Sequence, residues 1–350
     1  MGENYVVIMA GGVGSRFWPM SSEEMPKQFL DILGCGRTLL QMTFDRFTSI
    51  CSVKNFWVVT SERYANLVHE QLPEIPEQQI LKEPCRRNTA PCIAYVSWAI
   101  KAKNSCANIV VTPSDHVIVK VPEFVNCVSS CLSFSSETDS IVTIGIKPDH
   151  PETGYGYIQA DLSYASPANK NIFRVNSFKE KPDYELAKLY IKENNFFWNS
   201  GIFIWNINTI INALRVYQPV LSKQFEDLRP YYATDKESQL INEVYPKCEN
   251  ISIDYAIMEK ADEVYVYPAN FGWSDLGTWS SLKNHLSQDI HGNACVGQDV
   301  RLFETNDCMI HTSQEKQVVV QGLNGYVVVE KDGILLICKL SEEQRIKLFH

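Results

Sequence analysis

The sequence predicts an α/β fold: a Rossmann-like, mainly parallel sheet with helices on both faces, followed by a small C-terminal all-β module. Three observations carry this. In the first half, short β-branched runs alternate with stretches of helical period. The first of those runs leads straight into a glycine-rich turn. Beyond about His291, glycine and asparagine punctuate short strands instead.

In chain order, Tyr5–Ala10, Asn55–Thr60, Gln79–Lys82, Ala107–Thr112 and Ser140–Ile146 read as strands. Continuous apolar strands of this kind belong to sheets buried on both faces. Between them, Thr38 and Gln41 form a capping-box opening, and apolar Phe44 and Phe47 follow. Tyr64, Leu67, Val68 and Leu72, then Phe124, Val128 and Leu132, keep helical spacing. In the second half, Tyr157–Ala160, Phe173–Phe178, Gly201–Trp205 and Val264–Tyr267 read as strands. Tyr184–Glu193, Thr209–Tyr217, Val220–Leu228 and Asp254–Lys260 read as helices. Gly292, Asn293, Gly297, Asn306, Gly322, Asn324, Gly325 and Gly333 mark the turns of the terminal module. The domain reading is therefore 1–285 for an α/β domain and 286–350 for a small β-rich one.

Composition narrows the class. The 350 residues are 45% hydrophobic and 21% charged, an ordinary globular balance. No apolar run approaches the ~20 residues of a membrane span, and the N-terminus enters a strand with no secretory pattern. Eleven irregularly spaced cysteines without a Cys-x-x-Cys fit scattered reduced thiols, hence a cytoplasmic protein. A net charge of −9 argues against nucleic acid as a partner. It also means that an anionic substrate must be captured by a local positive patch and a metal.

The residues suited to such capture follow strands. Gly11, Gly12 and Gly14 let a backbone approach phosphate and aim N–H groups at it. Arg16 and, after a proline-led turn, Lys27 add full charge. The loop is neither a dinucleotide fingerprint, because position 17 is Phe, nor a Walker loop. Asp115, in Pro113-Ser114-Asp115-His116, follows a strand and suits Mg²⁺, which takes one or two carboxylates plus substrate phosphates. Asp275 lies in a second acidic turn, Gly272–Gly277; the plain alternative for both aspartates is a turn or helix cap. Lys181 is a mobile point charge suited to phosphate. Asn199 can both donate and accept, and Gly156 and Gly201 offer close backbone approach. In open α/β sheets, ligands bind beyond the carboxyl ends of the strands, so these loops are expected on one rim.

The run Gly-Gly-x-Gly-x-Arg-x-Trp-Pro-x-Ser-x-x-x-x-Pro-Lys resembles the signature of the sugar-phosphate nucleotidylyltransferases. Trp18-Pro19 and Pro26-Lys27-Gln28-Phe29 are similar to its mannose-1-phosphate guanylyltransferase branch. The likeness continues through Glu83-Pro84, Arg87–Pro91, Pro113–His116, Glu180-Lys181-Pro182, Trp198–Gly201 and Gly272–Gly277, and covers roughly residues 4–285. It implies a nucleotidyltransferase, GT-A-like catalytic domain and a short left-handed β-helix used for dimer contact, hence a homodimer. It implies the substrates GTP and mannose 1-phosphate, with Mg²⁺ held by Asp115 and Asp275. Gly11, Gly12, Gly14, Ser15, Arg16, Lys27, Glu83, Asn88, Thr89 and Ser114 would bind nucleotide. Gly156, Glu180, Lys181, Asn199 and Gly201 would bind the sugar phosphate. Catalysis would rest on Arg16, Lys27, Asp115, Lys181 and Asp275.

The expected reaction is GTP + α-D-mannose 1-phosphate → GDP-mannose + pyrophosphate. Glu83 is the candidate reader of guanine N1–H and N2–H₂; Arg87, Asn88 and Thr89 close the same loop and could touch base or phosphates. The alternatives are another sugar phosphate or nucleotide, a glycosyltransferase, whose usual Asp-x-Asp is absent near Asp115, or a non-catalytic nucleotide-binding subunit. The terminal module, holding none of these residues, is expected to serve assembly.

Overall fold

The computed structural model describes residues 2–13, 16–313 and 316–349. Gly14 and Ser15 of the predicted phosphate loop lie outside the described residues. The chain forms two compact units, and neither is continuous in sequence. The larger comprises Met1–Gly11, Phe44–Pro113 and Ile118–Trp273; the smaller comprises Gly12–Thr43, Ser114–Val117 and Ser274–His350. The signature segment thus shares a unit with the C-terminal residues.

The larger unit is built on nine strands: β1 (Asn4–Met9), β2 (Phe56–Ser61), β3 (Ile80–Glu83), β4 (Asn108–Pro113), β5 (Ile141–Ile146), β6 (Tyr157–Ser166), β7 (Asn169–Lys179), β8 (Phe196–Asn206) and β9 (Val264–Ala269). Their order is β3-β2-β1-β4-β8-β5-β9-β7-β6. The first four are mutually parallel, as the alternation of strands and helices requires. β5 and β9 are also parallel, but β8 runs antiparallel between β4 and β5. The sheet is therefore mixed.

Alternation along β1 and β4 places Tyr5, Val7, Ile109 and Val111 in one core with the helix Thr89–Lys103. Residues 90–100 of that helix are buried all round, and each large apolar side chain so enclosed contributes about 1.5–3 kcal/mol. The helix Val121–Glu137 also packs against β4 and β8, with Phe124, Cys127, Val128 and Cys131 buried.

β8 is longer than the strand expected from Gly201. Phe196, Phe197 and Trp198 are already buried in it, and polar Asn199 and Ser200 interrupt the apolar pattern that marks a strand in sequence. Its register against β5 shifts between Thr143↔Phe203 and Gly145↔Asn199, and Gly201 there has φ +69. Such bulges re-aim side chains. The helix expected at Asp254–Lys260 is a single π-helical turn, Asp254–Met258.

In the smaller unit, Phe17, Ile32 and Leu39 share a core with Trp279, Leu282, Met309, Val327 and Ile346. Three short strands, Ala294–Val296, Met309–His311 and Tyr326–Lys331, stack in parallel, and Ile334–Lys339 closes the sheet as a hairpin. Asp299–Phe303 pairs in parallel with Gln317–Gln321. Successive coils bearing one strand per sheet give the β-rich module that the turn residues announced. Among the described residues, no helix is long and apolar enough to cross a membrane.

Candidate active site

The sequence-derived residues fall into two sets, one in each unit. In the smaller unit, Pro26 precedes a single 3₁₀ turn, Lys27–Phe29, whose side chains are all buried. Gln28 donates to the Gly12 carbonyl at 2.8 Å, tying the two turns together. Lys27 Nζ reaches the Asp115 carboxylate at 2.9 Å. It also donates to the backbone carbonyls of Asp275 at 2.6 Å and Leu276 at 3.1 Å. One ammonium with three donors thereby finds three oxygens, and Asp115 and Asp275 are drawn to the same cation. Burial pushes the Asp115 carboxyl up, but the Lys27 ammonium and then His116 outweigh it and hold it below the usual carboxylate range. Asp115 stays ionised with its side chain about one third exposed.

The Asp275 turn is fixed locally. Its carboxylate accepts the Gly277 N–H at 2.9 Å, Ser274 Oγ accepts the Leu276 N–H at 3.1 Å, and Leu276 itself is held at φ +45. A Cβ on Gly277 would lie 3.1 Å from the Asp275 carboxylate and 3.2 Å from the Arg16 guanidinium, so a side chain there would crowd both groups. Ser114 is buried, and its carbonyl accepts the Thr43 hydroxyl at 3.2 Å. A Cβ on Gly12 would meet nothing within 4 Å among the described residues. The described residues contain no group of three or more His, Cys, Asp or Glu placed to hold a metal. An ionised, part-exposed Asp115, bonded to the same Lys27 ammonium as the Asp275 turn, instead fits a hard divalent ion that takes its remaining ligands from phosphate and water.

In the larger unit, the five predicted sugar-side residues come together. A Cβ on Gly156 would lie 2.5 Å from Glu180 Oε2 and 3.5 Å from Asn199 Cβ. Glu180 pairs with Lys181, which sits at φ +45 with its side chain largely exposed. Asn199 Oδ1 accepts the Gly201 N–H at 3.1 Å, and Asn199 Nδ2 donates to Asp254 at 2.8 Å. Gly201 is required by its backbone conformation; a Cβ there would meet Pro113 at 3.3 Å.

Asp254 is a further polar residue of this set, and no motif in the sequence marks it. Burial, then the neighbouring Glu180, push its carboxyl up to about 6. It opens the π-helical turn, and such turns recur at functional sites. The sequence carried one faint signal, a lone acid in an apolar stretch, Ile251–Met258.

The expected base-reading loop is partly committed to structure. Asn88 caps the helix Thr89–Lys103 from φ +66. Thr89 Oγ1 accepts the Ile253 N–H at 2.8 Å, and Arg87 donates to the Pro246 carbonyl at 2.6 Å. Glu83 Oε1 accepts the Tyr245 hydroxyl, while a Cβ on Gly11 would lie 2.7 Å from Oε2. Burial raises the Glu83 carboxyl despite the tyrosine's bond.

Comparison with known proteins accords with this geometry. The nucleotidyl transferase family profile matches residues 5–291. The chain is 36% identical over 349 residues to mannose-1-phosphate guanylyltransferase 2 of Escherichia coli O157:H7, covering 97% of this chain and 71% of that protein. It is 35% identical over 350 residues to mannose-1-phosphate guanylyltransferase of Escherichia coli strain K12, covering 98% and 72%. The crystal structure of a mannose-1-phosphate geranyltransferase from Thermus thermophilus matches with a TM-score of 0.88 at 29% identity, covering 99% of this chain and 98% of that one. With the family profile spanning most of the chain and these relatives nearly all of it, the chain belongs to the nucleotidyl transferase family and is a nucleotidyltransferase enzyme.

Proposed function

We propose that this enzyme transfers a guanylyl group from GTP to α-D-mannose 1-phosphate, releasing pyrophosphate. The observation that carries the reading is the buried Lys27, bonded at once to the Asp115 carboxylate and to the Asp275 turn. It gathers the loops with which a polyphosphate would be held. The larger unit supplies a complementary set: Lys181 for the sugar phosphate, and Glu180, Asn199 and Asp254 as hydrogen-bonding groups for hydroxyls.

The nucleophile is a phosphate oxygen of mannose 1-phosphate. Its second pKa is about 6, by analogy with phosphoserine, so at pH 7 it attacks without a general base. A new O–P bond forms at the α-phosphorus as the bond to the β-phosphate oxygen breaks in line, and the electron pair leaves with pyrophosphate. Arg16 and Lys27 neutralise charge on the triphosphate, and Lys181 orients the nucleophile. Catalysis is positioning and charge neutralisation. Asp115 and Asp275 would hold Mg²⁺, which supplies Lewis-acid neutralisation of the phosphates. Glu83 is assigned to guanine: a carboxylate oxygen offers about two lone-pair sites, so Tyr245 leaves acceptor capacity on both oxygens. Asn88, Thr89 and Ser114 are assigned to the nucleotide in this reading.

A homodimer accords with exposed Leu335 and Ile337 on the terminal edge strand. A cytoplasmic setting accords with eleven free cysteines. The test is pyrophosphate release across a grid of nucleoside triphosphates and sugar 1-phosphates. GTP with mannose 1-phosphate is expected to give the highest kcat/KM, and a higher value for any other pair overturns the assignment.

A further inference from the structure

A cleft of about 130 Å³ lies in the smaller unit, lined by Arg16, Gly277 and Thr278 together with Glu343, Gln344, Ile346 and Lys347. The last four belong to the 3₁₀ segment Leu340–Leu348. From this we infer that the C-terminal segment completes an anion site with the signature arginine, and that its ligand is the pyrophosphate end of the nucleotide. The inference rests on the reading of Arg16 as a polyphosphate ligand.

The segment's geometry explains how it presents charge. With three residues per turn, side chains three apart eclipse one another, so Glu343 aligns with Ile346 and Gln344 with Lys347. The first row anchors. Ile346 is 1% exposed in the core with Leu276, Trp279 and Leu282. Glu343 accepts the Ser280 N–H at 3.0 Å and is the one carboxylate among the described residues lining the cleft, against two cations. The second row carries an amide and an ammonium to the cleft, where Arg16 adds a guanidinium, leaving positive charge in excess.

The cleft also adjoins the reacting end of the site, since Gly277 separates the Arg16 guanidinium from the Asp275 carboxylate. Its size suits two linked phosphates rather than a nucleoside, and its two cations stand where charge accumulates as pyrophosphate leaves. Lys347, 331 positions from Arg16 in the chain, thus becomes a ligand-binding residue that no N-terminal motif reveals.

The experiment is the reverse reaction, with the KM for pyrophosphate measured at saturating GDP-mannose. Lys347 is exposed, so its substitution leaves folding intact. Lys347→Ala is expected to raise the pyrophosphate KM about tenfold, as for loss of one charge-assisted hydrogen bond, with the KM for GDP-mannose unchanged. Lys347→Arg should restore most of the affinity, whereas Lys339→Ala, an exposed cation of the same module outside the cleft, should have no effect. An unchanged pyrophosphate KM in Lys347→Ala, or an equal rise in Lys339→Ala, overturns the inference. A wild-type enzyme that releases no pyrophosphate with any sugar phosphate would instead sink the functional reading on which it rests.

Discussion

Lys27 and Lys181 are both assigned to phosphate, yet their surroundings are opposite. In the smaller unit the Lys27 side chain is 7% exposed and bonded to three oxygens. In the larger unit the Lys181 side chain is 62% exposed, on a residue at positive φ, with Glu180 as its ion-pair partner. A buried cation that ties three segments together is part of the scaffold and cannot be removed without loss of folding energy. An exposed one is held loosely, and an ion pair so open contributes about 0–1 kcal/mol to stability. The triphosphate loops of the smaller unit therefore have their charge fixed in advance, and the sugar-phosphate residues keep a cation that can follow its ligand.

The sharpest way to break this contrast is Lys27→Ala. Removing Lys27 leaves the part-exposed Asp115 carboxylate without its cation, at a cost of about 1–3 kcal/mol, and loss of a preorganised charge slows turnover on the order of 10³-fold. Calorimetric melting should show a clear fall in Tm. A second substitution, Asp115→Asn, should recover stability but not turnover. An unchanged Tm in the single variant would remove Lys27 from the scaffold.

Lys181→Ala tests the other side. Loss of a hydrogen bond to a charged group is worth about 1.5–3 kcal/mol. The KM for mannose 1-phosphate should therefore rise roughly 10- to 100-fold, while Tm and GTP affinity stay at wild-type values. Lost GTP affinity with normal sugar-phosphate affinity, read by titration calorimetry, would show the two halves assigned the wrong way round.

Asp254 sharpens the comparison further, because here function and stability pull apart. Its folded pKa of about 6 lies above the ordinary aspartate value. The native state therefore binds this proton more tightly than the unfolded chain. The resulting stability is full below about pH 4 and declines as pH rises to about 6, by about 3 kcal/mol in all. Asp254→Asn should flatten that decline and melt above wild type at pH 7. It should also weaken mannose 1-phosphate binding several-fold, because the Asn199 amide loses a charged partner. A pH–Tm profile identical to wild type would exclude the buried carboxylate as the cause.

The smallest expected effect is at Glu83. Glu83→Gln should narrow the preference for GTP over ITP by about 1 kcal/mol, the low end for a bidentate base contact, since Tyr245 already engages one oxygen. Competition kinetics with both nucleotides decides it; an unaltered ratio would give base reading to the Arg87–Thr89 loop.

The contrast between the halves also explains what could be read from sequence. The strand-led loops were legible because apolar runs ending in glycine, proline and charge are local patterns. The helix Thr89–Lys103 was not, although it is among the longest in the molecule, because Ala90–Ile100 are buried on every side and show no amphipathic stripe. The apolar pattern marks strand β8 only from Gly201 onward, because Asn199 and Ser200 break its run. Asp254 stayed hidden because its role comes from tertiary neighbours, Asn199 and Glu180, 55 and 74 positions away, and from a π-helical turn that no residue spacing announces. Lys347 is hidden for a related reason: a lysine in a charged terminal stretch reads as solvated until the fold sets it beside Arg16.

The interleaved make-up of the smaller unit has a consequence for synthesis. Lys27 leaves the ribosome early, but its carbonyl acceptors come 248 and 249 positions later, and the core that seats Phe17 draws on residues as late as Ile346. The larger unit has all its strands once residue 269 has emerged. The phosphate-binding loop must wait roughly 80 residues more, which at about 5–20 residues per second is several seconds, with Phe17, Ile32 and Leu39 still without their partners. A nascent chain of this kind gains its core first and its charge-binding end last, so the interval in which the chain is most in need of chaperone cover coincides with its inability to hold nucleotide.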